Sequence, residues 1–442
     1  MDFAMPIDAT PAPRKPRLLW ANLYCLLDTA SGASMTVREM LLQLVGQGYE
    51  VRILGAAVFD HVSGTVRVKE QWEAIQARRG RMLTLVDGPL EHQLLVTGST
   101  RRAEVTAAEE NRWFATYQQV LDQFNPDLVF FYGGNAFDHL ISAEARVRGI
   151  PSAFYLANGN YNRTRWCRDV DLILTDSQAT ADRYARELGC KVTPVGKFID
   201  PSRVVAQGQT RERILFVNPR LEKGVAIVIR LALLLEKRRP DIVFEVVESR
   251  GQWPNLLRQI TAAMGHARES LDNVVVTPNT DDMRPVYGRA RLLLAPSLWW
   301  ESGGRVVVEA MLNGIPALIT DYGGMAEFAG DAGITLKLAP VYHEPPYTRV
   351  PEDEALEPLL ARLEALYDDE AAYAELVSRA WRVGQTRHSL AASTQRLLQA
   401  LQPWVEPRAG DQDTGVLLRQ VHKQGLDDRL PPPLPTDSSD RL

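Results

Sequence analysis

The feature that most constrains this chain is an alternation of short apolar runs with helix-period segments, and it occurs twice in succession. Arg17-Leu-Leu-Trp-Ala-Asn22 is an apolar run of strand length, followed by a small-residue loop, Ser31-Gly-Ala-Ser34. Met40, Leu41, Leu44 and Val45 then recur at helical spacing, Gly48 stops the helix, and Tyr49-Glu-Val-Arg-Ile-Leu-Gly55 reads as the next strand. Strand, loop, helix, glycine, strand is a βαβ unit, which builds a parallel sheet with helices on its faces. Further strands are expected at 81–86, 93–97, 127–132, 152–156 and 171–175, with helices at 71–79, 107–124 and 179–188.

The sequence turns polar around Asp200–Arg213, which places a hinge there, and the alternation restarts at Ile214-Leu-Phe-Val-Asn218. Strands at 242–248, 274–277, 291–295 and 316–320 and helices at 226–238, 256–263, 283–290 and 304–313 complete the second half. The expected fold is α/β: two doubly wound, Rossmann-like domains facing a cleft, spanning 17–204 and 205–403. The second carries terminal helices over Ala371–Ala400. From 404 to 442 the composition shifts to Pro, Asp and Ser, and a flexible tail is expected because so little apolar surface is available to bury.

Bulk properties remove several classes. Apolar residues are 45% and charged residues 24%, which is globular composition, and a net charge of −5 gives no basic face for nucleic acid. Cys25, Cys167 and Cys190 are far apart in sequence and odd in number, so neither a disulfide framework nor a zinc site is expected. Met1–Arg17 has no apolar signal core, and no run of about 18 apolar residues occurs. A cytoplasmic protein without a transmembrane segment is expected, with peripheral membrane contact left open.

The chemistry concentrates between Leu292 and Thr320. A strand ends at Pro296, and Ser297-Leu-Trp-Trp-Glu-Ser-Gly-Gly304 leads into a helix. Ligands of doubly wound sheets sit beyond the carboxyl ends of strands, and a helix N-terminus reached through Gly303 and Gly304 offers backbone N–H groups to an anion. Glu301 and Glu309 are eight residues apart, a little over two helical turns. Carboxylates beside a phosphate are repelled by it, so both suit neutral sugar or ribose hydroxyls. Taken singly, a glycine pair or a helical glutamate is ordinary; the combination is what carries weight.

That combination, Ala295-Pro-Ser-Leu-Trp-Trp-Glu-Ser-Gly-Gly-Arg-Val-Val-Val-Glu-Ala-Met-Leu-Asn-Gly-Ile-Pro-Ala-Leu, resembles the Glu-x7-Glu signature of the retaining glycosyltransferases of family 4, which have the GT-B fold. Asp321-Tyr-Gly-Gly-Met-Ala-Glu327 is similar to that family's continuation, and Val217-Asn-Pro-Arg-Leu-Glu-Lys-Gly224 to its Arg…Lys-Gly loop. Ser31-Gly-Ala-Ser34 is a weaker match to its Gly-rich first loop.

The resemblance implies a retaining, metal-independent transfer of a sugar from a nucleotide-sugar donor, bound on the second domain, to an acceptor bound on the first. It implies catalytic roles for Glu301, Lys223 and Arg220, with Gly32, Asn158, Ser302, Gly303, Gly304 and Glu309 at the donor. Glu301 would hold the donor sugar, Glu309 the ribose, and Arg220 and Lys223 the diphosphate. No cofactor or metal is expected; Asp281-Asp282 is not spaced for one, and Thr280 or Asp281 reads equally as a helix cap. Asn135, Arg163 and Arg165 are expected on the acceptor side, where a basic loop interleaves with aromatics.

Two departures from the family are visible. No histidine closes Phe154-Tyr-Leu-Ala-Asn158, and Ser302-Gly303-Gly304 lacks the usual aromatic. The first motivates an alternative, a catalytically weak nucleotide-sugar-binding subunit; a GT-B-type epimerase, which would be expected to place further acid/base residues around the cleft, is the other.

Overall fold

The computed structural model describes residues 14–405; residues 1–13 and 406–442, which include almost all of the expected tail, lie outside the described residues. Eight strands form the first sheet: β1 (Arg17–Ala21), β2 (Glu50–Ala56), β3 (Met82–Asp87), β4 (Leu90–Leu95), β5 (Leu128–Phe131), β6 (Ser152–Leu156), β7 (Leu172–Thr175) and β8 (Thr193–Pro194). Their order is β3-β4-β2-β1-β5-β6-β7-β8. Six more form the second: β9 (Arg213–Val217), β10 (Val243–Val247), β11 (Val274–Thr277), β12 (Ala290–Ala295), β13 (Ala317–Thr320) and β14 (Gly333–Leu336), in the order β11-β10-β9-β12-β13-β14. The fold is α/β with two Rossmann-like sheets, each covered by helices.

Both sheets reverse their winding direction at one place, between β1 and β5 in the first and between β9 and β12 in the second. At such a point the two exit loops diverge and leave a crevice past the carboxyl ends of the strands. The loops that leave β1, β9 and β12 are those that carry Gly32, Arg220 with Lys223, and Glu301. Apolar burial holds this frame: Leu19, Trp20, Leu215, Phe216, Leu293 and Leu294 on these strands are at most 1% exposed. Continuous apolar runs are what a parallel strand covered on both faces requires.

Several local expectations changed. The pairing of β3 with β4 is antiparallel, because only Gly88 and Pro89 separate them, too few residues for the crossover a parallel pair needs. The helix expected at 71–79 is a 3-10 segment, Val62–Gln71, running into a short helix, Trp72–Gln76. A helix at His139–Val147 and another at Asp353–Asp368 were not expected. Cys167 and Cys190, distant in sequence, have sulfurs 3.6 Å apart where the turn Thr164–Cys167 meets the end of the helix Gln178–Leu188.

The last helix, Leu390–Val405, does not stay with the second sheet. Leu397, Leu401 and Val405 pack in one cluster with Leu18, Trp20, Met40 and Leu41 of the first lobe. Its polar side ties down the segment after β8: Ser393 Oγ donates to the Lys197 carbonyl at 2.9 Å and Arg396 Nε to the Val195 carbonyl at 3.1 Å. The chain thus crosses between the lobes twice.

Truncating a fully buried leucine leaves a cavity as well as losing transfer free energy, about 2–5 kcal/mol together. Leu397→Ala is expected to lower stability by about that amount in urea denaturation, and a loss below about 1 kcal/mol would show that the helix is not part of the first lobe's core.

Candidate functional site

The exit loops of β9 and β12 are locked to each other before any ligand enters. The Glu222 carbonyl accepts from Leu298 N at 2.9 Å and from Ser297 Oγ at 3.2 Å. Gly224 lies at φ +79°, and a Cβ there would run into the Pro296 carbonyl, so only glycine lets the loops meet. This junction sets Lys223 beside Glu301, and the two form an ion pair. Glu301 Oε1 also accepts from Trp299 Nε1 at 2.8 Å and from Ser297 Oγ at 3.3 Å. The Lys223 ammonium lies 5.1 Å from the centre of the Trp299 ring, within cation–π range.

These contacts fix the charge on Glu301. Burial alone would raise its pKa, but the Lys223 charge and hydrogen bond, the Trp299 hydrogen bond and the nearby Lys197 charge outweigh it and leave the carboxyl below its ordinary value. Glu301 is ionised at neutral pH. The ion pair and both further hydrogen bonds converge on Oε1; among the described residues no protein donor takes Oε2.

Glu301 and Lys223 line a cavity of about 370 Å³ between the lobes, and the first lobe supplies its other wall. Gly32, Asn158, Arg220, Ser302 and Gly304 line the same cavity, so seven of the residues singled out in the sequence meet there. Gly32 is the first residue of the helix Gly32–Gly46, capped by Ser31, and brings that N-terminus to the cleft. Asn158, standing where the histidine was missing, uses its side-chain oxygen to accept from Asn160 N at 3.0 Å. Gly303 does not line the cavity; it packs against Phe328 and Asp176, where a Cβ would collide with the Phe328 ring.

Glu309 is placed otherwise than expected. It is 6% exposed, is absent from the cavity wall, accepts on Oε2 from the Tyr287 hydroxyl, and pairs through Oε1 with Arg305 Nε at 2.7 Å. Asn135, Arg163 and Arg165 are exposed on the first lobe and do not reach this cavity. The aromatics interleaved with those arginines are packed inward: Trp166 lies 4.7 Å from the Phe154 ring and 5.1 Å from Tyr161, so only the cations face out. Thr280 Oγ1 accepts from Asp282 N at 3.2 Å and Asp282 Oδ1 from Arg284 N at 3.0 Å, but the N-cap of the short helix Arg284–Arg289 is Met283 and has no side-chain cap hydrogen bond, so neither Thr280 nor Asp281 caps it.

The sequence reading named Ser302 and Glu327 but not their role in joining the lobes, and it missed Asp176, Lys197 and Arg250. Asp176, fully buried, accepts from Tyr155 OH at 2.6 Å and from Ser302 Oγ at 2.5 Å, and pairs with Lys197 at 2.6 Å. Lys197, in the segment that follows β8, also lines the cavity. Glu327 reaches across to accept from Gln178 N at 3.1 Å and Ala179 N at 2.9 Å, filling the N-terminus of a first-lobe helix. Arg250 donates to the Ala30 carbonyl at 2.6 Å. No spacing rule relates these partners, since each pair is separated by more than 20 residues, and only an unpaired charge in an apolar context could have hinted at them. Among the described residues no group of three or more His, Cys, Asp or Glu side chains is placed to hold a metal ion, and no helix is long and apolar enough to cross a membrane.

Lys223→Met tests the charge balance. The depressed carboxyl of Glu301 stabilises the fold above the unfolded value near 4.3, and that contribution is lost as pH falls through the lower folded value. Without Lys223 the burial of Glu301 is less opposed and its folded pKa rises. The variant is expected to be about 1–3 kcal/mol less stable at pH 7, between the ranges for exposed and buried pairs. The deficit should shrink as pH falls through the carboxylate range, because protonation removes the uncompensated charge. Urea midpoints measured from pH 7 down to about pH 4 check this; a deficit independent of pH would exclude the pair as its source.

Residues 202–340 match the family model described as "Glycosyl transferases group 1". No curated protein sequence matches the chain. Among solved structures it is similar to a glycosyltransferase from Rickettsia africae, with 12% identity and a TM-score of 0.63 over 90% of this chain and 100% of that one. It is also similar to HepE from Anabaena in complex with UDP-glucose, with 14% identity and a TM-score of 0.62 over 88% and 99%. A third is the pneumococcal O-GlcNAc transferase GtfA in complex with UDP and GlcNAc, with 10% identity and a TM-score of 0.62 over 89% and 100%. Residues 202–340, which include Lys223 and Glu301, thus match that family's model, and the chain shares its two-lobed α/β fold with these solved structures.

Proposed function

We propose that the protein is a retaining glycosyltransferase that moves a sugar from a nucleotide-sugar donor to an acceptor hydroxyl without a metal ion. The observation that carries this reading is the convergence of Arg220, Lys223, Glu301 and the N-terminus at Gly32 on one inter-lobe cavity. The UDP-glucose in the HepE complex supports a nucleotide sugar as the class of donor. Cytoplasmic placement and an acceptor held by the first lobe, near Asn135, Arg163 and Arg165, belong to the same proposal.

In this reading Arg220 and Lys223 meet the diphosphate, joined by backbone N–H groups around Ser302–Gly304 and the helix at Gly32. Fixed cations and helix termini stabilise a leaving diphosphate without reorganising, the electrostatic role a metal would otherwise fill. Glu301, ionised and held through Oε1, offers Oε2 to a sugar hydroxyl. The acceptor oxygen bonds to the anomeric carbon as the bond to the diphosphate oxygen breaks on the same face. The acceptor proton passes to that departing oxygen, and the products are a glycosylated acceptor and a nucleoside diphosphate. Charge on the sugar is oxocarbenium-like as the bonds exchange, and the ionised Glu301 is the nearby group that favours it.

Incubation with UDP-, GDP- and ADP-sugars, with nucleotide release as the readout, tests the reading. Glu301→Ala and Lys223→Ala are expected to lower release from the active donor by about 10²–10³-fold each. A donor that raises the melting temperature but is never turned over, across broad acceptor panels, would favour the nucleotide-sugar-binding subunit. A donor sugar recovered as its epimer without an acceptor would point to the epimerase.

A further inference from the structure

Two thiols meet on the first lobe, outside the cavity. Cys167 ends the turn Thr164–Cys167, and Cys190 follows Gly189, the left-handed cap of the helix Gln178–Leu188. Their sulfurs are 3.6 Å apart, and both residues are partly exposed. Each thiol also leans on a carbonyl of its own segment, Cys167 on Thr164 at 3.3 Å and Cys190 on Leu188 at 3.7 Å, which keeps the two sulfurs facing each other. Closing the gap to a bond of ~2 Å asks for a shift of about 0.8 Å at each sulfur. Cys25 offers no competing partner, because it is 0% exposed and sits in a separate apolar cluster.

The order of events follows from the surroundings of the pair. Burial, then the hydrogen bond and charge of Cys190, push the Cys167 thiol up to about 12. The first attack therefore falls to Cys190. Its thiolate attacks one sulfur of a small disulfide such as oxidised glutathione; that bond breaks, and one small thiolate leaves and takes up a proton. Cys190 then carries a mixed disulfide and no longer opposes ionisation of Cys167. Cys167 loses its proton, attacks the Cys190 sulfur and expels the second small thiolate. Two protein thiols are oxidised, one small disulfide is reduced to two thiols, and excess thiol runs the exchange backwards.

The bond would join two segments that each reach the cleft elsewhere. Asn158, at the start of the segment that ends in Cys167, lines the cavity, and the exposed Arg163 and Arg165 lie between them. The helix receives Glu327 of the second lobe at its N-terminus, and its Thr180 Oγ1 accepts from Trp300 Nε1 at 3.2 Å. One hydrogen bond already ties loop to helix, from Tyr161 N to the Tyr184 hydroxyl at 3.1 Å. We propose that Cys167 and Cys190 are a reversible redox site, whose disulfide pins the segment 158–167 to the helix Gln178–Leu188. The site is independent of the nucleotide-sugar reading of the cleft.

Full-length protein incubated with excess oxidised glutathione, then alkylated in denaturant and weighed by mass spectrometry, tests the site. One alkylated thiol, Cys25, is expected in place of three, with Cys167 and Cys190 recovered in one disulfide-linked peptide pair; excess dithiothreitol should restore all three. Three alkylated thiols, glutathione held on either cysteine without the linked pair, or a disulfide between two chains overturns it. Limited trypsin digestion of the native protein reads the pinning. Cleavage after Arg163 and Arg165 is expected to slow roughly tenfold on oxidation, since a crosslink suppresses local opening. The same treatment of Cys190→Ser should leave cleavage unchanged. Equal cleavage of oxidised and reduced wild type, or equal slowing in Cys190→Ser, overturns the pinning. The mass and cleavage comparisons on the wild type stand even where the variant does not fold.

Discussion

The ion pair between Lys223 and Glu301 is the interaction on which the cleft depends. Two unit charges about 4 Å apart attract by about 4 kcal/mol at an effective dielectric near 20, while removing each from water costs several kcal/mol. Such a pair holds only where added hydrogen bonds tip the balance, and Trp299 and Ser297 supply them to the same oxygen of Glu301. The pairing also requires two loops from different strands to meet, which the Glu222 carbonyl and the absence of a side chain at Gly224 allow. Removing either member of this junction would separate the cation from the carboxylate rather than delete a single contact.

Charge pairing recurs around the cavity. Lys197 is matched by Asp176, Arg250 by Asp60, Arg220 by Glu222 and Arg305 by Glu309. The wall therefore presents cations whose positions are fixed by their own carboxylates, which is how a site can attract an anion without collapsing through self-repulsion. The same contacts join the lobes. Ser302, next to Glu301, reaches Asp176 and the Ala157 carbonyl of the first lobe, and Glu327 fills a first-lobe helix terminus. Second-lobe groups and the opposite wall are thus positioned by one network, and the closing helix braces it by holding the Lys197 carbonyl.

Much of the architecture was legible because its signals are local. Apolar runs marked β1, β2, β9, β10 and β12 within one or two residues, since a parallel strand covered on both faces is mostly apolar, the buried Glu245 of β10 being held by Arg213 and Arg289. The Glu301–Gly304 loop was readable for the same reason: glycines, a carboxylate and a helix start stand within a few residues of one another. The elements that were missed are those whose character is set from outside. The helix His139–Val147 carries an ordinary mixed pattern, and the antiparallel turn of β3 onto β4 hangs on a two-residue connection. The inward packing of Trp166 and Tyr161 depends on Phe154, and spacing alone had suggested a binding loop there.

By itself the sequence determined the two α/β halves, the strand-end loops that bear chemistry, and the identity of Lys223, Arg220 and Glu301 as the groups to watch. Only the tertiary structure decided which of those groups share a cavity and which are used up internally. Hydrogen-bond partners such as Asp176 with Ser302, or Glu309 with Tyr287, are remote in sequence, so no periodicity encodes them. A carboxylate reads the same in the chain whether it faces a ligand or a neighbouring arginine. The folded contacts alone distinguish Glu301, with one oxygen left open, from Glu309, with both taken.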